Sequence, residues 1–171
     1  MAEIILCRAK RLVELGQNVV VLADSLNSLV RAYNQTSPQN GKSTGGLENS
    51  ALQSTKKFFG SARNLEEGGS LTIIATAYTD TDGVIYEEFK ETCNMQLCIN
   101  EEFEGQLLSN IDFTRSQTIK DGKILSEDEF NCSSSIRKSF NSKDAKDAFI
   151  KDFKEASSNS EFVFDFLSKN K

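Results

Sequence analysis

The stretch Gly41-Lys42-Ser43 is the nearest approach this sequence makes to phosphate chemistry. A P-loop ends in Gly-Lys-Ser/Thr, where the lysine meets the phosphates and the hydroxyl meets Mg2+. The motif also needs a glycine five positions before its second glycine, and position 36 is Thr. It needs a strand before it and a helix after it, whereas this segment follows a helical pattern and runs into Gly45-Gly46. The residue types therefore come close to a phosphate loop without making one. Asp24 is better placed, because it closes the apolar run Val19-Val-Val-Leu-Ala23. An acid at the carboxyl end of a buried strand stands at the rim where doubly wound sheets take ligands. In nucleotide-hydrolysing sheets such an acid holds Mg2+.

Other chemistries are excluded by composition. The chain of 171 residues has no His, which removes Ser-His-Asp and Cys-His nucleophile systems and every zinc site built on imidazole. Its four cysteines, at 7, 93, 98 and 132, form no C-x-x-C and read as reduced thiols. Lys and Arg number 20 against 25 Asp and Glu, and a net charge of -5 gives no long-range field for a phosphate backbone. Glu66-Glu67 and Glu87-Glu88 read as solvated faces rather than acid and base pairs. The amino terminus lacks the order of a signal peptide, and no apolar run approaches the roughly 18 residues of a membrane span. A soluble, cytoplasmic protein with no membrane partner is expected.

The elements that must position Asp24 follow from periodicity. Residues 2 to 15 carry Ile4, Ile5, Leu12 and Leu15 at helical spacing, closed by Gly16. The run at 19 to 23, with no polar alternation, suits a central parallel strand covered on both faces. Leu26, Leu29, Val30 and Tyr33 continue as a helix to Asn34, and helix, strand, helix is the rhythm of a doubly wound α/β fold. Residues 35 to 46 form a loop containing the only proline, Pro38. A helix over 47 to 62 turns Leu52, Phe58 and Phe59 inward. Glu66 to Ser70 turn into a second buried strand at 71 to 77. A weaker strand is expected over 93 to 99. Beyond Asp112 the pattern becomes helical, with starts at Ser126, Ser142 and Asn159 or Ser160. The expected division is an α/β core over 1–118 and a helical remainder over 119–171 within one domain.

The block GGLENSALQSTKKFFGSARNLEEGGSLTIIATA resembles the carboxyl-terminal motor domain of the bacterial transcription terminator Rho, a ring-forming RNA-dependent ATPase and helicase. Upstream, AKRLVELGQNVVVLADSLNSLVRAYN is similar to that family's helix, Walker B strand and following helix. Downstream, VIYEEFKETCNMQL, IDFTRSQT, LSEDEF and SSNSEFVFDFL continue the likeness almost to the end. The resemblance implies a partial RecA-like, P-loop NTPase-type doubly wound sheet with a helical tail. Asp24 and Arg31 are the implied catalytic positions: Asp24 matches the Walker B acid, which reaches Mg2+ through water, and Arg31 is a kept basic position after it. Lys42, Thr44 and Gly45 match the Q loop that approaches the RNA backbone. ATP and Mg2+ are the implied cofactors. RNA, Rho-type subunits in a homo- or hetero-hexameric ring, and RNA polymerase are the implied partners.

The departures from that family fall on its functional parts. Its Walker A loop and catalytic glutamate precede the segment matched by Ala2, and the sequence contains no other Walker A. The motif NRSGTR, ending in the arginine finger that stabilises charge on the transferred phosphoryl group, reads Thr114-Arg-Ser-Gln-Thr-Ile119. A finger is worth about 10³–10⁵ in rate, and the neighbouring Lys120 lacks its planar fork. The second RNA loop is short and acidic, with Asp80 and Asp82. Ser28 replaces an expected Arg, and residues 100 to 105 are acidic where basic ones are expected. Two functional readings follow. Either the chain carries Rho-type ancestry without catalysis of its own, or it is a non-catalytic interaction protein that docks on intact Rho subunits and poisons the ring. A remnant without a role is the third reading.

Overall fold

In a computed structural model, residues 1–36, 43–44, 46–79, 83–100, 110–139 and 143–169 are described. They fall into two compact units, Met1–Cys93 and Asn94–Lys171. The boundary expected after residue 118 falls inside the second unit.

The first unit is α/β. Helix α1 (Ala2–Glu14) ends where the N–H of Gly16 reaches the Val13 carbonyl and that of Gln17 reaches Leu12. Gly16 takes φ +82°, which a side chain would resist. Strand β1 (Val19–Ala23) leads into α2 (Leu26–Thr36), and the Ser25 hydroxyl accepts from the Ser28 N–H at the helix start. A two-residue pair, β2 (Ser43–Thr44) and β3 (Leu47–Glu48), turns at Gly46 with φ +80° and precedes α3 (Asn49–Phe59). The helix expected from residue 47 thus starts two residues later, because Leu47 and Glu48 pair with Ser43 and Thr44. Strands β4 (Arg63–Asn64) and β5 (Ser70–Ala75) follow, then α4 (Gly83–Lys90), over a segment whose type the sequence pattern left open.

The sheet has the order β1-β5-β4, with β1 parallel to β5 and β4 antiparallel to it. The register runs from Val19 opposite Leu71 to Ala23 opposite Ala75. Two sets of contacts cover one side. Val21 and Leu71 pack with Ala9 and Val13 of α1 and Phe58 of α3, while Leu26, Val30, Ala51, Leu52, Ile85 and Phe89 join α2, α3 and α4. Gly69 lies under the α1–β1 connection, where a Cβ would come within 1.9 Å of the Gln17 carbonyl oxygen.

The expectation that β1 is covered on both faces is not met. Val20, Leu22 and Ile74 share the other face and are 60%, 76% and 57% exposed. Alternation decides it: odd positions of β1 face the helices, and the even positions carry equally apolar side chains with no described element over them.

The second unit opens with β6 (Met95–Gln96), paired antiparallel with β7 (Gln117–Thr118), and a bridge between Ile99 and Ile111. The strand expected over 93 to 99 is therefore mostly irregular, and Met95, Leu97 and Ile99 are exposed. A 3-10 turn over Asp121–Lys123 precedes α5 (Glu127–Ser139), α6 (Lys143–Glu155) and α7 (Asn159–Lys169), as the helical pattern predicts. Ser126 and Glu129 form a reciprocal cap at the start of α5: the Ser126 N–H and hydroxyl donate to the Glu129 carboxylate at 2.8 Å, and the Glu129 N–H donates back to the hydroxyl. These bonds hold the Glu129 carboxyl below its usual range.

Candidate functional site

Asp24 stands immediately after β1, at the carboxyl ends of the two parallel strands. The ladder continues past them: the Thr76 N–H donates to the Ala23 carbonyl at 3.1 Å, and the Leu26 N–H donates to the Thr76 carbonyl at 2.9 Å. That crossing brings Thr76 beside Asp24, and its hydroxyl donates to Asp24 Oδ1 at 2.6 Å. The Tyr78 hydroxyl reaches the same oxygen at 3.5 Å. The carboxylate itself is exposed.

A buried amide fixes the segment that carries Tyr78. Asn27, 4% exposed, accepts from the Tyr78 N–H at 2.9 Å and donates its Nδ2 to the Tyr78 carbonyl at 3.3 Å. Asn27→Ala removes both bonds and leaves two backbone groups to find new partners, at a cost of about 1–3 kcal/mol. We expect a lower thermal midpoint and faster amide exchange at Tyr78, measured by NMR.

The groove at Asp24 has a volume of about 670 Å³. Its walls are largely apolar, from Leu22, Leu29 and Phe58, and the charged side chains among the described residues lining it are Glu3 and Asp24. Glu3 accepts from the Tyr33 hydroxyl at 3.4 Å, and burial, then the Glu3 charge, raises the Tyr33 pKa. Two acids with no basic side chain beside them repel phosphate. Ser28, where a basic residue is expected, faces the Ser25 hydroxyl at 3.2 Å. Arg31 is exposed further along α2 and does not line the groove.

Mg2+ commonly binds through one or two carboxylates together with substrate phosphates and water. One exposed carboxylate, held by a hydroxyl, fits a contact to Mg2+ through water. No basic side chain among the described residues lines the groove, so its described lining offers no cationic partner for a nucleotide's phosphates. Among the described residues no cluster of three His, Cys, Asp or Glu could hold a metal. No described helix is long and apolar enough to cross a membrane.

Of the Q-loop positions, Lys42 and Gly45 lie outside the described residues. Thr44 is placed in β2, its backbone paired with Leu47. The acidic loop residues Asp80 and Asp82, and residues 101 to 105, are also outside them.

The segment matching the finger motif is well defined. Asp112 Oδ1 accepts from the Thr114 N–H at 3.0 Å, the Thr114 hydroxyl at 2.6 Å and the Arg115 N–H at 3.1 Å. The Ile119 N–H donates to the Asn94 carbonyl at 2.9 Å, and its side chain is 42% exposed. Lys120 follows with φ +63°. Burial pushes the Asp112 carboxyl up, but the bonds from Thr114 and Arg115 outweigh it, and the pKa lies below the usual value. The turn is therefore fully stabilised above the unfolded carboxyl's pKa of about 3.9 and loosens as pH falls through the lower folded value. An NMR titration should move the Thr114 and Arg115 amides together with a midpoint below that of a free Asp, and Asp112→Asn should abolish it.

Thr76, Tyr78 and Asn27 were not singled out from the sequence. The signal for Thr76 was present in the two apolar runs, but only the register of β1 against β5 turns it into a neighbour of Asp24.

The parallel pairing of β1 with β5, with helices packed on one side, defines the class: a partial RecA-like fold of the P-loop NTPase type. Two solved structures share it. One is a prototypical ATPase from the type III secretion system of pathogenic bacteria, with TM-score 0.71 and 18% identity, covering 98% of this chain and 58% of that one. The other is the assembled ATPase EscN from the type III secretion system of enteropathogenic E. coli, with TM-score 0.72 and 18% identity, covering 98% and 48%. No family model matches the chain.

By sequence the chain belongs with the transcription termination factors named Rho. It is 43% identical to Rho of Bacillus subtilis over 176 aligned residues, covering 99% of this chain. It is 51% identical to Rho of Borreliella burgdorferi over 135, covering 75%. It spans 41% of the length of the former and 26% of the latter.

Proposed function

We propose that the chain is a Rho-type motor-domain segment that keeps the Walker B side of the fold and neither cradles phosphate nor supplies an arginine finger. The single observation that carries this reading is Asp24, set at the ends of paired parallel strands and held by Thr76, in a groove whose described charged side chains are acidic. RNA and neighbouring Rho-type subunits are the partners it implies, and any part in termination is played within a larger assembly. The test is equilibrium titration of the purified chain with a fluorescent ATP analogue and Mg2+. No saturable binding at millimolar nucleotide is expected, and a saturable isotherm abolished by excess unlabelled ATP would overturn the reading.

A second reading is favoured by one feature, the exposed Ile119 in the finger position. Docked on intact Rho subunits, the chain would offer an aliphatic side chain where the ring needs a guanidinium.

A further inference from the structure

We propose that a cavity in the carboxyl-terminal unit binds a small amphiphilic carboxylate, its apolar chain against a phenylalanine cluster and its head on Arg137. The cavity has a volume of about 300 Å³. That is the lower end of the usual range for small-molecule sites, which are mostly apolar with a few placed polar groups. It suits a medium-length acyl or aryl chain.

One wall is aromatic and already assembled. Phe149 meets Phe162 edge-on with ring centroids 5.6 Å apart, Phe153 meets Phe162 at 5.6 Å, and Phe149 stacks with Phe153 at 5.8 Å. All three rings line the cavity. Such rings offer a large apolar surface at little conformational cost.

The facing wall is one side of α5. Glu129, Cys132, Ser133, Ile136 and Arg137 all line the cavity, and their spacing of three and four places them along one stripe. The stripe has opposite charges at its ends, eight residues and therefore about 12 Å apart along the helix. The Glu129 carboxylate is occupied by the Ser126 cap. Arg137 is partly buried, and no hydrogen bond or ion pair engages it among the described residues. A half-desolvated guanidinium at the rim of an apolar cavity is complementary to a carboxylate, which it can hold through two parallel hydrogen bonds. A cationic amphiphile meets repulsion at that end and an already engaged acceptor at the other. The charge order thus selects an acid and sets its direction.

Octanoate is the probe, with octanol and octylamine as comparators, titrated into the full chain by isothermal calorimetry. Cys132, 2% exposed and lining the cavity, gives an independent readout through iodoacetamide labelling followed by mass spectrometry. Saturable octanoate binding, weaker octylamine binding and saturable protection of Cys132 are expected. Arg137→Gln should weaken octanoate about tenfold or more and leave octanol unchanged. Ser133→Leu, which fills the cavity without touching the charge, should remove binding of both, with circular dichroism confirming that both variants are folded. Absence of saturable octanoate binding, equal binding by Arg137→Gln, or protection of Cys7 instead of Cys132 would each overturn the proposal.

Discussion

Phe58→Ala is expected to cost about 3–5 kcal/mol, the usual range for removing a buried ring. That is a large part of the about 5–15 kcal/mol that stabilises an ordinary domain, so the urea midpoint of the amino-terminal unit should fall sharply. Phe58 is 4% exposed and joins α3 to Val21 and Leu71 of the sheet and to Val13 of α1. No other buried ring reaches that cluster from α3 among the described residues. The matched control is Leu22→Ser on the same sheet. Leu22 is 76% exposed, and a substitution there should change stability by no more than about 0.5 kcal/mol. Urea denaturation followed by circular dichroism measures both. Equal losses for the two variants would show that the open face of β1 is covered, against the fold described.

Mixed with intact Rho of Bacillus subtilis, the chain should lower RNA-stimulated ATP hydrolysis at substoichiometric amounts, and Ile119→Arg should relieve that inhibition. The expected size follows from the arginine finger, worth about 10³–10⁵ in rate at each site it serves. The Asp112 turn and the bond from the Ile119 N–H to Asn94 hold the segment in place, so the substitution changes a partly exposed side chain without disturbing buried packing. Ile119→Lys serves as a control, since a point charge lacks the planar fork. An unchanged rate at excess chain would remove the docking reading and leave the motor-domain assignment untouched.

Much of the scaffold was legible in the sequence because it depends on local pattern. The unbroken apolar runs marked β1 and β5, Gly16 marked the end of α1, and Ser126 marked the start of α5. What failed depended on partners distant in the chain. Val20 and Leu22 are as apolar as Val19 and Val21, so composition did not show that only one face of β1 is packed. Leu47 and Glu48 were drawn into pairing with Ser43 and Thr44 across a glycine in the left-handed region. In the site, Asp24 was readable as an acid ending a buried run. Its partner Thr76 required the strand register, and the Asn27 clamp required two hydrogen bonds across 51 positions. The departures at Ile119 and Ser28 were visible only beside the Rho pattern, because neither residue is unusual by itself.

In the proposed reading Asp24 keeps its place at the ends of the paired parallel strands, in a groove that no basic side chain lines among the described residues. The most direct test is ATP hydrolysis by the purified chain with Mg2+, with and without RNA. No turnover above the buffer control is expected under either condition, and none should appear on Ile119→Arg alone, because a finger has nothing to act on without a phosphate cradle. RNA-stimulated turnover that Asp24→Asn abolishes would contradict the account.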